Sequence, residues 1–225
     1  GSLNAHATWL LGKTAAGVDV RREHILSTAY GDVQPEDKWV SISDTDRKYN
    51  RLGERTNTSL FLEHNVIVGG FTLSAGLLAN RNTALDGKFR LYPGVDVSYR
   101  PNDEWKVYAS WNRALRVPTY TDLYTNNAVQ QGDIALRPEK NEAFKVGTRY
   151  RTHGFEALLS GFYSKGTDII DWVYPTAESK KYQAMNIGKL DNMGYSVDAA
   201  LHLQELLPEF FITRIKAGYA FIHQK

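Results

Sequence analysis

Hydrophobic and polar residues alternate with period two along most of the chain, and the 3.6-residue recurrence of an amphipathic helix is hardly seen. In the cleanest segment Tyr195, Val197, Ala199, Leu201 and Leu203 share one face, while Ser196, Asp198, Ala200 and His202 share the other. The same scheme sets Phe211, Thr213, Ile215, Ala217, Tyr219 and Phe221 against Arg214, Lys216 and Gly218, and Phe144, Val146, Thr148 and Tyr150 against Lys145, Gly147, Arg149 and Arg151. Further strands are expected near residues 7–11, 15–28, 57–68, 71–82, 88–100, 105–113, 155–174 and 182–203. The pattern predicts an all-β chain, an antiparallel up-and-down meander of about ten strands.

The connections alternate in length. Tight ones are expected near Gly12 to Thr14, at Gly69 and Gly70, at Arg100 to Glu104, at Thr152 to Gly154 and at Gln204 to Glu209. Between them lie long polar ones: Ser27 to Arg51, Arg113 to Asn141 and the tip Pro175 to Lys181, with the short 82–87 as the exception. A transmembrane barrel has this asymmetry, with short periplasmic turns and longer extracellular loops. Aromatic residues sit beside the tight turns, Tyr99 with Trp105, Tyr150 with Phe155, and Phe210 with Phe211, as an interfacial girdle requires. A soluble β-rich binding or adhesion module, whose apolar faces pack on each other, predicts the same alternation. The expected spans 155–174 and 182–203 favour the barrel, since soluble strands usually run five or six residues.

Composition narrows the picture by exclusion. With 27 basic and 25 acidic residues, scattered along the chain, no nucleic-acid footprint stands out. The absence of cysteine removes disulfides, thiolate metal sites and cysteine nucleophiles. No apolar run is long enough for a membrane-spanning helix, which leaves a β-barrel open. The six histidines are dispersed and give no metal-ligand spacing, and no nucleophile elbow or phosphate loop occurs, so no enzyme, cofactor or metal is expected. Asp32, Glu36, Asp37, Asp44 and Asp46 crowd one loop and read as solvated charge rather than a calcium site. The opening Gly-Ser reads as a cloning scar, and residues 1–225 as an excised piece of something larger.

Four stretches, "ASWNRALRVPTYTDLYTNN", "GDIALRPEKNEAFKVGTRY", "FEALLSGFYSKGTDIIDWV" and "MNIGKLDNMGYSVDAAL", occur in order from Ala109 onward. Together they resemble the TonB-dependent outer-membrane receptors, notably the vitamin B12 and ferric-siderophore branch. The resemblance implies part of a 22-stranded barrel in the bacterial outer membrane, lacking its plug domain and closing strands and so unable to transport alone. It further implies outer-membrane lipid around the barrel, TonB acting through the missing plug, and a bulky corrinoid or iron chelate as cargo. Two open edges and a greasy face would lead such a piece to close into a smaller barrel or self-associate.

Within that frame Trp111 lies near the top of an outward-running strand, and Arg113 to Asn141 are expected to form an extracellular loop. Pro118 ends ladder pairing, and Arg137 to Lys140 return the chain to the sheet. Arg113 and Arg116 are expected to point into the lumen, toward a plug or an anionic ligand. Tyr120, Tyr124, Trp172, Tyr174 and Tyr182 are candidates for gripping a bulky ligand, because flat rings give large contact area at small entropy cost.

Overall fold

In the computed structural model, residues 1–9, 12–209 and 211–225 are described. The alternation becomes one antiparallel sheet whose ten principal strands pair in sequence order. They are β1 (Ser2–Trp9), β2 (Gly12–Ser27), β3 (Arg51–Val68), β4 (Phe71–Asn82), β5 (Arg90–Tyr99), β6 (Trp105–Arg116), β7 (Glu139–Thr152), β8 (Phe155–Thr167), β9 (Lys189–Leu201) and β10 (Ile215–Gln224). A two-residue strand, Asp32–Val33, also pairs with β3. β1 and β10 each have one paired side, so the sheet is open and does not curl into a smaller closed barrel.

Register sorts the side chains into two faces, because cross-strand partners in an antiparallel ladder point the same way. One row runs Leu73, Val97, Ala109, Val146, Gly161, Tyr195 and Phe221. The row offset by one runs Ser74, Asp96, Ser110, Lys145, Phe162 and Gly194. The first is apolar and the second largely polar. Polar-face hydroxyls and amides pair with each other, as in Ser160–Ser196 at 2.9 Å and Asn80 Nδ2 donating to Asn57 Oδ1 at 3.0 Å.

None of the described residues covers the apolar face. Val146 is 57 % exposed, Leu159 50 %, Val197 43 % and Tyr219 60 %. A soluble sandwich would seal these side chains against a second sheet, and none of the described residues supplies one. That finding sets aside a soluble module whose core is sealed by these residues alone, because an apolar surface of this extent needs a nonaqueous neighbour.

The aromatic girdle is present at the tight-turn end. Phe71 stacks on Tyr99 at 4.2 Å, and Trp105, Tyr150 and Phe155 continue the row at 4.8 and 6.3 Å between centroids. Phe210, expected beside the last tight turn, lies outside the described residues. Gly12 to Thr14, expected as a connection, belong to β2.

Two long strands are shorter than their alternation predicts. The run 155–174 splits into β8 and a separate strand Ile170–Val173, and 182–203 splits into Tyr182–Asn186 and β9. The breaks fall at Asp168 and Gly188, whose φ angles of 56° and 88° turn the chain out of the sheet. The last strand starts at Ile215 rather than Phe211. The loop expected over Arg113 to Asn141 is also shorter, since β6 runs to Arg116 and β7 starts at Glu139.

Candidate functional site

The long connections meet at the end opposite the aromatic girdle. Residues 117–138 carry a one-turn helix, α1 (Tyr120–Tyr124), whose first turn is fixed by a capping box. Thr119 Oγ1 accepts from the Asp122 amide at 3.1 Å, and Asp122 Oδ2 accepts from the Thr119 amide at 2.9 Å. Further along, Gln130–Gln131 pairs in parallel with Tyr182–Asn186, which pairs antiparallel with Ile170–Val173. This three-stranded loop sheet ties 117–138 to 168–188 and has its own small core of Leu136, Ile170 and Ala184, flanked by Leu123 and Trp172.

Glu139, the first residue of β7, is the joint between these loops. It accepts two hydrogen bonds from Arg116, Nε at 2.7 Å and Nη2 at 2.5 Å, and a third from the Ile170 amide at 2.8 Å. Arg116 also reaches Asp122 at 3.4 Å, so one guanidinium holds the end of β6, the helix cap and the start of β7 together. A second joint lies beside it. Asn186 Nδ2 donates to the carbonyls of Arg137 and Asp168, and Arg137 pairs with Asp168 at 2.7 Å. That Arg137 hydrogen bond, helped by Lys140, holds the Asp168 carboxyl below its ordinary pKa.

α1 leans over toward β2 and β3. Arg55 donates to the Pro118 carbonyl at 2.9 Å, pairs with Glu23 and lies 4.7 Å from the Tyr120 ring centroid. Burial raises the Tyr120 hydroxyl pKa, and its oxygen is enclosed with no hydrogen-bond partner among the described residues. Tyr124 is raised in the same way, chiefly by burial and also by Asp32 of the first long loop.

The seven expected contact residues therefore separate. Tyr120 and Tyr124 stack at 6.2 Å and pack toward β2 and β3, while Trp172 flanks the loop core. Tyr174 and Tyr182 lie against each other at 4.0 Å and remain 49 % and 41 % exposed, an open aromatic platform beside Lys181. Arg116 works within the Glu139 joint. Arg113 is not on the expected lumen face: its partner is Glu142, in the apolar-face row above Trp111 and Phe144. There it lies 5.5 Å from the Trp111 ring and 3.6 Å from Glu142, which also accepts from Trp111 Nε1 at 2.9 Å.

Sequence reasoning missed Glu23, Arg55, Asp122 and Glu139. Asp122 alone had a local signal, the Thr-x-x-Asp spacing of a capping box.

The family model described as "TonB dependent receptor-like, beta-barrel" matches residues 1–225. The chain belongs to that family. Among solved structures it is similar to the siderophore receptor PirA from Pseudomonas aeruginosa, with TM-score 0.74, 16 % identity, and coverage of 99 % of this chain and 39 % of that one. The FrpB iron transporter from Neisseria meningitidis gives TM-score 0.67 at 20 % identity, covering 100 % and 36 %. A ferric enterobactin receptor (PfeA) mutant from Pseudomonas aeruginosa, in complex with enterobactin, gives 0.71 at 18 % identity, covering 90 % and 33 %. No curated protein matches. The chain spans under two fifths of the length of these structures, and at such identities the likeness is one of fold. In this TonB-dependent receptor barrel segment the polar face corresponds to the lumen and the apolar face to the lipid side.

Proposed function

We propose that this chain is part of the barrel of an outer-membrane receptor that imports a bulky, scarce nutrient with energy delivered through TonB. The uncovered apolar face carries the reading: a ten-strand ladder with one face greasy and exposed, the other polar, needs lipid on one side and water on the other. The names of the structural neighbours favour an iron chelate over a corrinoid as cargo. In this reading the loops at the mouth capture the ligand, a plug supplied by the rest of the receptor closes the lumen, and TonB acts on that plug. The Tyr174–Tyr182 platform offers ring faces to a flat chelate, with Lys181 nearby to meet its negative charge.

The test is uptake by the intact receptor in cells starved for iron. Radiolabelled ferric chelates should accumulate in a TonB-dependent manner, labelled cobalamin should not, and Tyr174→Ala with Tyr182→Ala should weaken chelate binding about tenfold. Uptake independent of TonB, or receptor recovered outside the outer membrane, would defeat the proposal.

A further inference from the structure

The β5–β6 ladder stops short of the mouth. Its last pair is Gly94–Asn112, although β5 keeps pairing with β4 as far as Arg90–Asn80 and β6 with β7 as far as Arg116–Glu139. Between the separated ends lies a cleft of about 540 Å³ whose lining includes Arg90, Leu91, Arg113, Lys140, Glu142 and Lys165. Arg90 pairs with Asp86 at 3.0 Å and lies on the polar face opposite Asn80, so the outer side of the cleft presents Arg113, Lys140 and Lys165 beside Glu142. Arg113, Glu142 and Lys165 occupy one row of the apolar face, and Lys140 lies in the next row of that face toward the mouth. Glu142 is 3.6 Å from Arg113, and Lys140 is 3.6 Å from Asp168, which Arg137 already holds. Lys165 is exposed and has no ion pair among the described residues, with Asp191 opposite it in register.

A second cavity lies on the same face, toward the girdle. This groove of about 690 Å³ is lined by Phe144, Val146, Gly161, Tyr163, Met193 and Phe221 among others, and hardly any polar surface enters it. Gly161 forms its floor between Val146 and Tyr195 in register. Lys165 lies four residues along β8 from Gly161, or about 13 Å at the rise of a strand. The cleft opens to both faces, with Tyr92, Ala114 and Asn141 lining it from the polar side; on the outer side its cations stand above the apolar trough, and the two are complementary to one kind of molecule.

We infer that this outer surface is a binding site for a phosphate-bearing membrane lipid, its headgroup held in the β5–β6 cleft by Arg113, Lys140 and Lys165, and an acyl chain laid in the groove over Gly161. The inference rests on the apolar face meeting lipid, as the proposed function requires. Free phosphate shares the headgroup chemistry, but it would have no use for the groove. Ion pairing beside an apolar wall also explains why cations with such exposure sit on a face that is otherwise greasy.

Native mass spectrometry of the intact receptor, released from phosphatidylcholine nanodiscs containing phosphatidic acid, tests this directly. Phosphatidic acid should be retained about tenfold over phosphatidylcholine, and Lys140→Gln with Lys165→Gln should erase the preference. Gly161→Leu changes no charge, and a Cβ there meets nothing nearer than 3.8 Å, so the variant should fold while losing acyl retention. Unchanged retention in either variant, or full displacement by inorganic phosphate, would overturn the assignment. Chelate uptake is scored separately on the same variants. A receptor that imports normally without lipid preference defeats the lipid site alone, and one that binds lipid but imports nothing defeats the transport reading alone.

Discussion

Replacing Glu139 with alanine should release the mouth without unfolding the wall. The carboxylate takes two bonds from Arg116 and one from the Ile170 amide, and its side chain is only 16 % exposed. Arg116 is 46 % exposed, so solvent screens the ion pair and its share is about 1 kcal/mol. Ile170 is buried, and leaving its amide unsatisfied adds about 1.5 kcal/mol. Together the loop sheet should lose about 2 to 3 kcal/mol, and roughly 1 kcal/mol in Glu139→Gln, which keeps an acceptor for the amide. In hydrogen exchange, amides of Ile170–Val173 and Tyr182–Asn186 should open about 30-fold faster in the alanine variant. Amides of β8 near Ser160 should keep wild-type protection, because their ladder with β9 is untouched. Equal acceleration of both sets, or of neither, would refute the view that Glu139 is a local joint.

The two faces should respond oppositely to a cation: Leu159→Arg on the apolar face should lower stability in vesicles by about 2 to 4 kcal/mol, whereas Asp96→Arg on the polar face should stay within about 0.5 kcal/mol, both read by denaturant titration. Gly154→Ala should destabilise the β7–β8 hairpin by about 1 to 3 kcal/mol in the same titration, since φ is 73° there and a Cβ would sit 2.5 Å from Leu206 Cγ. Because the folded-state pKa of Asp168 is depressed, the support it gives the loop is complete above the ordinary carboxylate pKa and fades as pH falls through the lowered value. Exchange at Ile170–Val173 should therefore quicken in acid, and Asp168→Asn, which tolerates the positive φ, should flatten that dependence.

The strands were legible because a half-exposed sheet writes its two faces locally, residue by residue, as in Phe144 to Arg151. Their ends were not. "TDIIDWV" and "MNIGKLD" depart from alternation only by a one-residue slip, at Ile169–Ile170 and between Ile187 and Leu190, and the loop joint at these breaks brings Asn186 to Arg137 across 49 residues. Arg113 shows a different failure: its parity with Trp111 placed it on the apolar face, but its charge argued for the lumen. At the edge of the apolar band a long cation reaches out of the greasy zone, so parity was the better guide. Arg55 and Glu23 had no local signal, because they meet each other across 32 residues and Arg55 meets Pro118 across 63.

Packing is distributed unequally between wall and mouth, and in the proposed receptor that difference would put ligand selection at the mouth. Of the four buried hydrophobic residues among those described, Leu136, Ile170 and Ala184 belong to the mouth, and only Ala200 lies in the main sheet. The wall takes its shape from the hydrogen-bond ladder and whatever lies against its apolar face, so single side chains there define little. At the mouth a small core, a capping box and the Glu139 and Asn186 joints fix two loops as one body. A ligand seated on Tyr174 and Tyr182 would bear on strands Tyr182–Asn186 and Ile170–Val173, and through Ile170 on Glu139, Arg116 and the cap of α1. α1 in turn rests on Arg55 of β3, on the lumen face. Rim and lumen wall are thus joined by hydrogen bonds and ring contacts, along which a ligand at the rim would be felt at the wall, and Glu139→Ala cuts that chain at its middle while leaving both ends intact.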